Sequence, residues 1–248
     1  MHAHSLHRRT RIAGILAPSF GISLSLLLAL ACRGENIAGA VSIERKLTKR
    51  SVTASVSIYQ RGPSVELGKD SDEQDPLAFE RSRVVVWVAG PGPAGRETAS
   101  MQQVARRFSP DLLVVPAGST VSFPNMDPIF HNVFSLSRPK MFDLGNYPKG
   151  DTRNVVFPKP GVVYVNCHLH PNMAGVIVVT PNKWNAKADR AGQFELHDLP
   201  PGDYALVAWH KAAGFFRKTV RVTAGSDAKV AFFIPLDAPG TETTARGK

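Results

Sequence analysis

The sequence predicts an all-β protein, and three observations carry that prediction. Helical periodicity is scarce after residue 31, short β-branched runs recur along the chain, and Gly, Pro, Asn and Asp bound those runs.

In chain order, residues 37–43 and 51–59 read as two early strands. Residues 62–80 are polar and acidic with no apolar rhythm, which predicts an exposed loop. Arg83-Val84-Val85-Val86-Trp87-Val88 reads as a strand, and a Gly/Pro loop follows at 90–95. From Gln102 onward the pattern tightens. Strands at 112–115 and 120–123 flank Pro116-Ala117-Gly118, strands at 153–157 and 162–167 flank Pro158-Lys159-Pro160-Gly161, and 174–180 closes the run. Alternation places Val163, Val165 and Cys167 on one face, with Tyr164 and Asn166 on the other. The thiol then enters from the core side of a strand end, a good position for a metal ligand and a poor one for a hydrolytic nucleophile. Further on, Phe194/Leu196 and Tyr204/Leu206/Ala208 alternate as half-buried strands do. Two more strands are expected near 217–222 and 228–234, and a small, polar, disordered tail at 237–248.

The N-terminus predicts export. Arg8, Arg9 and Arg11 precede an uncharged apolar run over 12–31 that ends in Ala29-Leu30-Ala31-Cys32. The destination is the periplasm or cell envelope. Attachment stays open between a cleaved signal, an uncleaved membrane anchor and lipidation at Cys32. Losing 1–31 removes three arginines and lowers the formal charge from +10 to +7. That charge favours acidic partners or an anionic membrane surface. It does not point to nucleic acid, because no Lys/Arg stripe with interleaved aromatics is present. Roughly 215 remaining residues suffice for one or two domains without disulfide staples.

The chain has two cysteines, and Cys32 belongs to the export boundary. Cys167 is therefore alone in an oxidising compartment, where a lone thiol is either buried and inert or coordinated. Its neighbours favour coordination. Cys167, His170 and Met173 form C-x2-H-x2-M, and His131 lies 36 residues upstream, far enough to come from another strand end. One thiolate, two imidazoles and one thioether are the donors of a blue-copper electron-transfer site. Zinc is the competing metal, but a thioether is a poor zinc ligand. A single thiolate excludes a dinuclear copper centre bridged by two. A catalytic Cys-His pair would leave Met173 and the second His unexplained. Pro171 stiffens the ligand loop, and Asn132 is placed to hydrogen-bond across to it. His168 should point away from the metal, and His197 and His210 are expected at exposed or interface positions. Met141 and Phe142 read equally as an apolar rim of the site or as simple packing.

Phe108 to Asp127, His131-Asn132-Val133, Phe142-Asp143-Leu144-Gly145 and the Cys167–Met173 loop together resemble the cupredoxin family. The two-residue gap between His170 and Met173 is most similar to amicyanin. The overall pattern is similar to plastocyanin-like proteins often labelled methylamine utilization proteins. The resemblance covers about residues 102–180 and implies a Greek-key β-sandwich with one type 1 copper. Asp189-x2-Gly192-x-Phe194 and Leu199-Pro-Pro-Gly-Asp-Tyr204 resemble a carboxypeptidase regulatory-like, transthyretin-like β-sandwich. That implies a second, smaller and discontinuous domain, with residues 35–90 as its first part, 102–180 as the inserted copper domain and 184–236 as its remainder.

The expected function is that of a single-electron carrier between transient redox protein partners, not of an enzyme. Cys167, His131 and His170 would be the equatorial ligands and Met173 the weak axial one. Phe123, Phe130 and Val133 are expected to dry the site and raise its potential, with the edge of His170 as the electron port. Copper delivery, or an interaction module with incidental copper, are the alternatives.

Overall fold

The computed structural model describes residues 34–48 and 75–234. The segment expected to direct export, Cys32, the strand expected at 51–59, most of the loop expected at 62–80, and the expected tail all lie outside the described residues. Among the described residues no helix is long and apolar enough to cross a membrane. The architecture is β throughout, arranged as stacked sheets.

Strand β1 (Glu35–Ile43) buries Ile37, Val41 and Ile43 on one face. It sits between β14 (Gln193–Leu199), antiparallel to it, and β17 (Ala228–Ile234), parallel to it. Gly39 leaves room for the Phe194 ring where β1 meets β14, since a Cβ there would lie 2.1 Å from that ring and displace it. A second sheet runs in the order β13 (Asn185–Lys187), β2 (Val85–Val88), β15 (Gly202–His210), β16 (Gly214–Val222). The two sheets close over one core that includes Ile37, Val86, Leu196, Leu206 and Phe232.

The residues between β2 and β13 build a second pair of sheets. Five strands run in the order β6 (Leu112–Pro116), β12 (Ala174–Thr180), β11 (Gly161–Asn166), β8 (His131–Ser137), β9 (Lys140–Tyr147). Three more follow the order β10 (Thr152–Phe157), β7 (Ser119–Pro124), β3 (Thr98–Ser100). A short hairpin, β4 (Gln102–Val104) with β5 (Arg107–Ser109), lies beside them. The enclosed core includes Met101, Phe123, Tyr147, Phe157, Val165 and Ile177, together with Cys167 and Met173.

A third apolar layer joins the two sandwiches. Val85 and Trp209 of one sheet pack with Leu112, Val176 and Val178 of the other. This explains why Val84 to Val88 form an unbroken apolar run. Val86 and Val88 face one core while Val85 and half-buried Trp87 face the joining layer, so the strand has no solvent face. Strand β12 is shared in the same way, with Ile177 and Val179 facing inward to the core that holds Cys167 and Val176 and Val178 facing out.

Two expectations are corrected here. The end of the supposed loop 62–80 contains the single-turn helix α1 (Ala78–Arg81), and Glu80 on it is fully buried. His210 is likewise fully buried, whereas His197 is exposed. Both corrections have one cause. The Glu80 carboxylate accepts the N–H groups of Leu47 (3.2 Å) and Thr48 (2.8 Å) and the Thr48 hydroxyl (2.9 Å). Its Oε2 also lies 3.2 Å from His210 Nε2, outside hydrogen-bond geometry, so the two form an ion pair only when His210 is protonated. A buried charge is tolerable when it has this many partners.

Burial pushes His210 below its ordinary value of 6.5, with Glu80 pulling it back up and Arg83 pushing it down. The folded chain therefore binds the proton less readily than the unfolded chain does. Stability is full above about pH 6.5 and falls as pH drops toward the folded value, by up to about 1.4 kcal/mol per pH unit from this group. Urea unfolding at pH 7.5 and 5.5 should show that loss, and His210→Gln should make the dependence shallower. An unchanged dependence in the variant would contradict the assignment.

Candidate metal centre

Antiparallel pairing sets the site. Asn166, the last residue of β11, pairs with Phe134 in the middle of β8, so the residues after β11 run antiparallel toward the first residues of β8. His131 opens β8, and Cys167 follows β11 directly. Val163, Val165 and Cys167 are buried on one face while Tyr164 is exposed, as the alternation requires. The chain then turns at His170-Pro171-Asn172-Met173, where the Met173 N–H donates to the His170 carbonyl at 2.9 Å. Proline at the second and asparagine at the third position suit such a turn. The turn folds Met173 back into the core that also holds Cys167, where Met173 is 1% exposed.

Three donor atoms converge as a result. His131 Nδ1 and His170 Nδ1 are 3.0 Å apart, and Cys167 Sγ lies 4.0 Å from the first and 3.6 Å from the second. Cys167 and His131 are buried and His170 is half-buried. For a metal centred between two nitrogens at about 2.0–2.1 Å and a sulfur at about 2.3 Å, trigonal N–N and N–S separations come to about 3.5 and 3.8 Å. The observed separations fall around those values, so the donor set fits one first-row transition metal. Burial pushes His170 below its ordinary value of 6.5, and His131 and Arg106 push it the same way, against Asp127. The lowering keeps its nitrogen free for a metal to a lower pH.

Asn132 ties the two halves together. Its backbone N–H points at Cys167 Sγ at 3.4 Å, its side-chain carbonyl accepts the His168 N–H at 3.4 Å, and its Nδ2 donates to Asp143 at 2.7 Å. An N–H aimed at the sulfur also fixes where the sulfur sits relative to His131. His168 lies outside the donor cluster. It stacks on Phe134 with ring centres 3.7 Å apart, and its Nε2 is 3.5 Å from Asp143.

Other expected neighbours are distributed differently. Phe123 and Val133 are fully buried in the core beside Cys167, but Phe130 is 57% exposed and does not dry the site. Phe142 packs against Phe123 and Phe157. Met141 pairs with Leu136, five residues along β8 from His131. At about 3.3 Å per residue that is roughly 17 Å away, too far to rim the site. His170 instead borders a recess lined by Ala105, Arg106, Asp127, Pro128 and Ile129.

Asp127 is the site residue that sequence reasoning missed. Its Oδ2 is 2.8 Å from His131 Nε2, on the far side of the ring from the donor cluster. Burial opposes its ionisation, but the Arg106 amide, His131 and the Ala105 amide outweigh burial and hold the carboxyl below the usual carboxylate range. The only signal in the sequence was a carboxylate four residues before a candidate ligand, which is too common to single out.

No protein-family model matches the chain, and no curated protein does. Among solved structures, a Cu-containing nitrite reductase from Thermus scotoductus SA-01 is 29% identical with a TM-score of 0.31, over 36% of this chain and 23% of its own length. A purple cupredoxin from Nitrosopumilus maritimus is 29% identical with a TM-score of 0.30, over 33% of this chain and 99% of its own. A reduced amicyanin variant is 21% identical with a TM-score of 0.31, over 37% of this chain and 86% of its own. This chain thus spans less than a quarter of the length of the reductase.

The geometry separates the histidines. His131→Ala and His170→Ala should each weaken Cu(II) binding more than about 100-fold, beyond the range for supporting residues. His168→Ala should change it by less than about threefold, since that ring stacks on Phe134 and faces Asp143 outside the donor cluster. A competition titration against a chelator of known affinity reads all three. Equal losses in the three variants would contradict the donor set.

Proposed function

We propose that this chain is an exported electron carrier that holds one type 1 copper and exchanges single electrons with transient redox partners. The observation that carries the reading is the convergence of Cys167 Sγ, His131 Nδ1 and His170 Nδ1, all within 4.8 Å of one another. Bound there, copper supplies a one-electron couple that soft sulfur and imidazole nitrogen together suit in both oxidation states.

The chain's own residues do the rest. Cys167 would hold the metal through its thiolate, His131 and His170 through their imidazoles, and buried Met173 through its thioether. With all four engaged no position is open to a substrate, so the reading is a carrier rather than a turnover enzyme. Strand ends and the proline turn restrain the ligands, which limits movement when the charge changes. Burial beside Phe123 and Val133 disfavours the more highly charged oxidised form. Half-buried His170 is the ligand that reaches the surface, next to Pro128 and exposed Ile129. A small apolar contact there suits a partner that must dissociate after each transfer.

The outer sheets are read as one discontinuous carboxypeptidase regulatory-like sandwich, over 35–90 and 184–236, that supports the inserted copper domain. In favour of this, β1, β2 and β13 to β17 share one core while the strands between them supply another. Export to the periplasm or cell envelope rests on the N-terminal segment alone.

The test is to add Cu(II) to the purified chain and record visible absorption and electron paramagnetic resonance spectra. An intense thiolate-to-copper band with narrow hyperfine splitting is expected, and Cys167→Ser should abolish it. Met173→Leu should retain copper and raise the potential, because losing an electron-pair donor disfavours the oxidised form. A band that survives Cys167→Ser would sink the assignment. A pale, ordinary Cu(II) spectrum would favour copper delivery, and no uptake would favour an interaction module.

A further inference from the structure

We propose that Asp127 is a positioning residue that joins the tip of the β4–β5 hairpin to His131, so that one carboxylate sets both a metal-facing nitrogen and the surface turn beside His170. The inference rests on the copper reading for its purpose, but its geometry stands apart from it.

The hairpin tip is unusual. Ala105 and Arg106 both adopt left-handed backbone, with φ of 52° and 56°. Two consecutive left-handed positions are the pattern of a tight hairpin turn that favours Asn and Gly, and this turn has neither. Something outside the turn must hold it there. The two amides at the tip converge on Asp127, with the Ala105 N–H donating to Oδ1 at 2.7 Å and the Arg106 N–H to Oδ2 at 2.8 Å. Asp127 is itself held in place. Its N–H donates to Asn125 Oδ1 at 2.9 Å, and Pro128 after it restricts its backbone to extended conformations.

The same Oδ2 lies 2.8 Å from His131 Nε2. A carboxylate accepts and does not donate, so the proton of the neutral ring is fixed on Nε2. Nδ1 is then left with a free lone pair, and Nδ1 is the atom that faces Cys167 and His170. His131 is fully buried, so no solvent stands ready to replace Asp127 as the acceptor. The carboxylate also places Arg106 on the recess bordered by His170. Loss of Asp127 should therefore have two separable effects, a relaxed turn and a His131 ring with no preferred tautomer.

The experiment separates them in the full-length chain. One variant is Asp127→Ala. The second adds Ala105→Gly and Arg106→Gly, which make the left-handed turn comfortable without Asp127. Imidazole 15N shifts of the metal-free protein report the His131 tautomer, thermal unfolding reports the turn, and competition titration reports Cu(II) affinity. Wild type should show a single Nε2–H tautomer. The glycine-relieved variant should unfold within a few degrees of wild type yet show mixed tautomers and bind Cu(II) about 10–100-fold more weakly. A relieved variant that regains both the wild-type tautomer and the wild-type affinity would overturn the proposal, leaving Asp127 as a staple of the turn alone. Wild-type protein that takes up no copper but shows the expected tautomers would sink the copper reading and leave this one standing.

Discussion

Cys167, His131 and His170 bring lone-pair donors within 4.8 Å of one another at the edge of an apolar core. Two imidazole nitrogens facing each other at 3.0 Å repel unless a proton or a cation lies between them. Water, the usual remedy, is kept away from His131 and Cys167 by burial. An arrangement of this kind is costly on its own and becomes favourable when one positive ion is shared. Much of the surrounding structure can be understood as holding that arrangement in place. The proline turn returns Met173 to the core, Asn132 bridges the His131 and Cys167 segments, and Asp127 meets His131 on the nitrogen turned away from the donor cluster.

The scaffold beneath the site is stiffer than a lone sandwich. The five-stranded sheet that carries His131 and leads into Cys167 packs its inner face on the core that holds Cys167, and at β6 and β12 its outer face packs on Val85 and Trp209 of the neighbouring sheet. Strand β12, which begins just after Met173, has its valines and Ile177 divided between those layers. Close-packed layers resist small displacements. For the proposed one-electron carrier, that resistance would keep the site geometry nearly constant between oxidation states.

The local part of this picture was legible in the sequence. Alternation through Val163, Val165 and Cys167 gave the direction of the thiol, and C-x2-H-x2-M marked a loop dense in donors. What was hidden depends on contacts between residues distant in sequence. Glu80 and His210 are each unremarkable in their own segments and meet only through the packing of β15 against α1 and the end of β1. Phe130 follows an apolar residue and looked like core, yet the loop turns it outward. The β4–β5 hairpin has no turn residues to announce it, because its turn is held by Asp127 from another loop. Polar strand β9 lacks a run of apolar residues and is recognisable only from its pairing with β8.

The measurement that bears most directly on the central claim is X-ray absorption at the copper edge of the copper-loaded full-length chain. The account predicts one copper per chain with two nitrogen scatterers and one short sulfur in its inner sphere, and loss of the sulfur signal in Cys167→Ser. An inner sphere of nitrogen and oxygen alone would contradict it, because the metal would then lie elsewhere than between Cys167, His131 and His170.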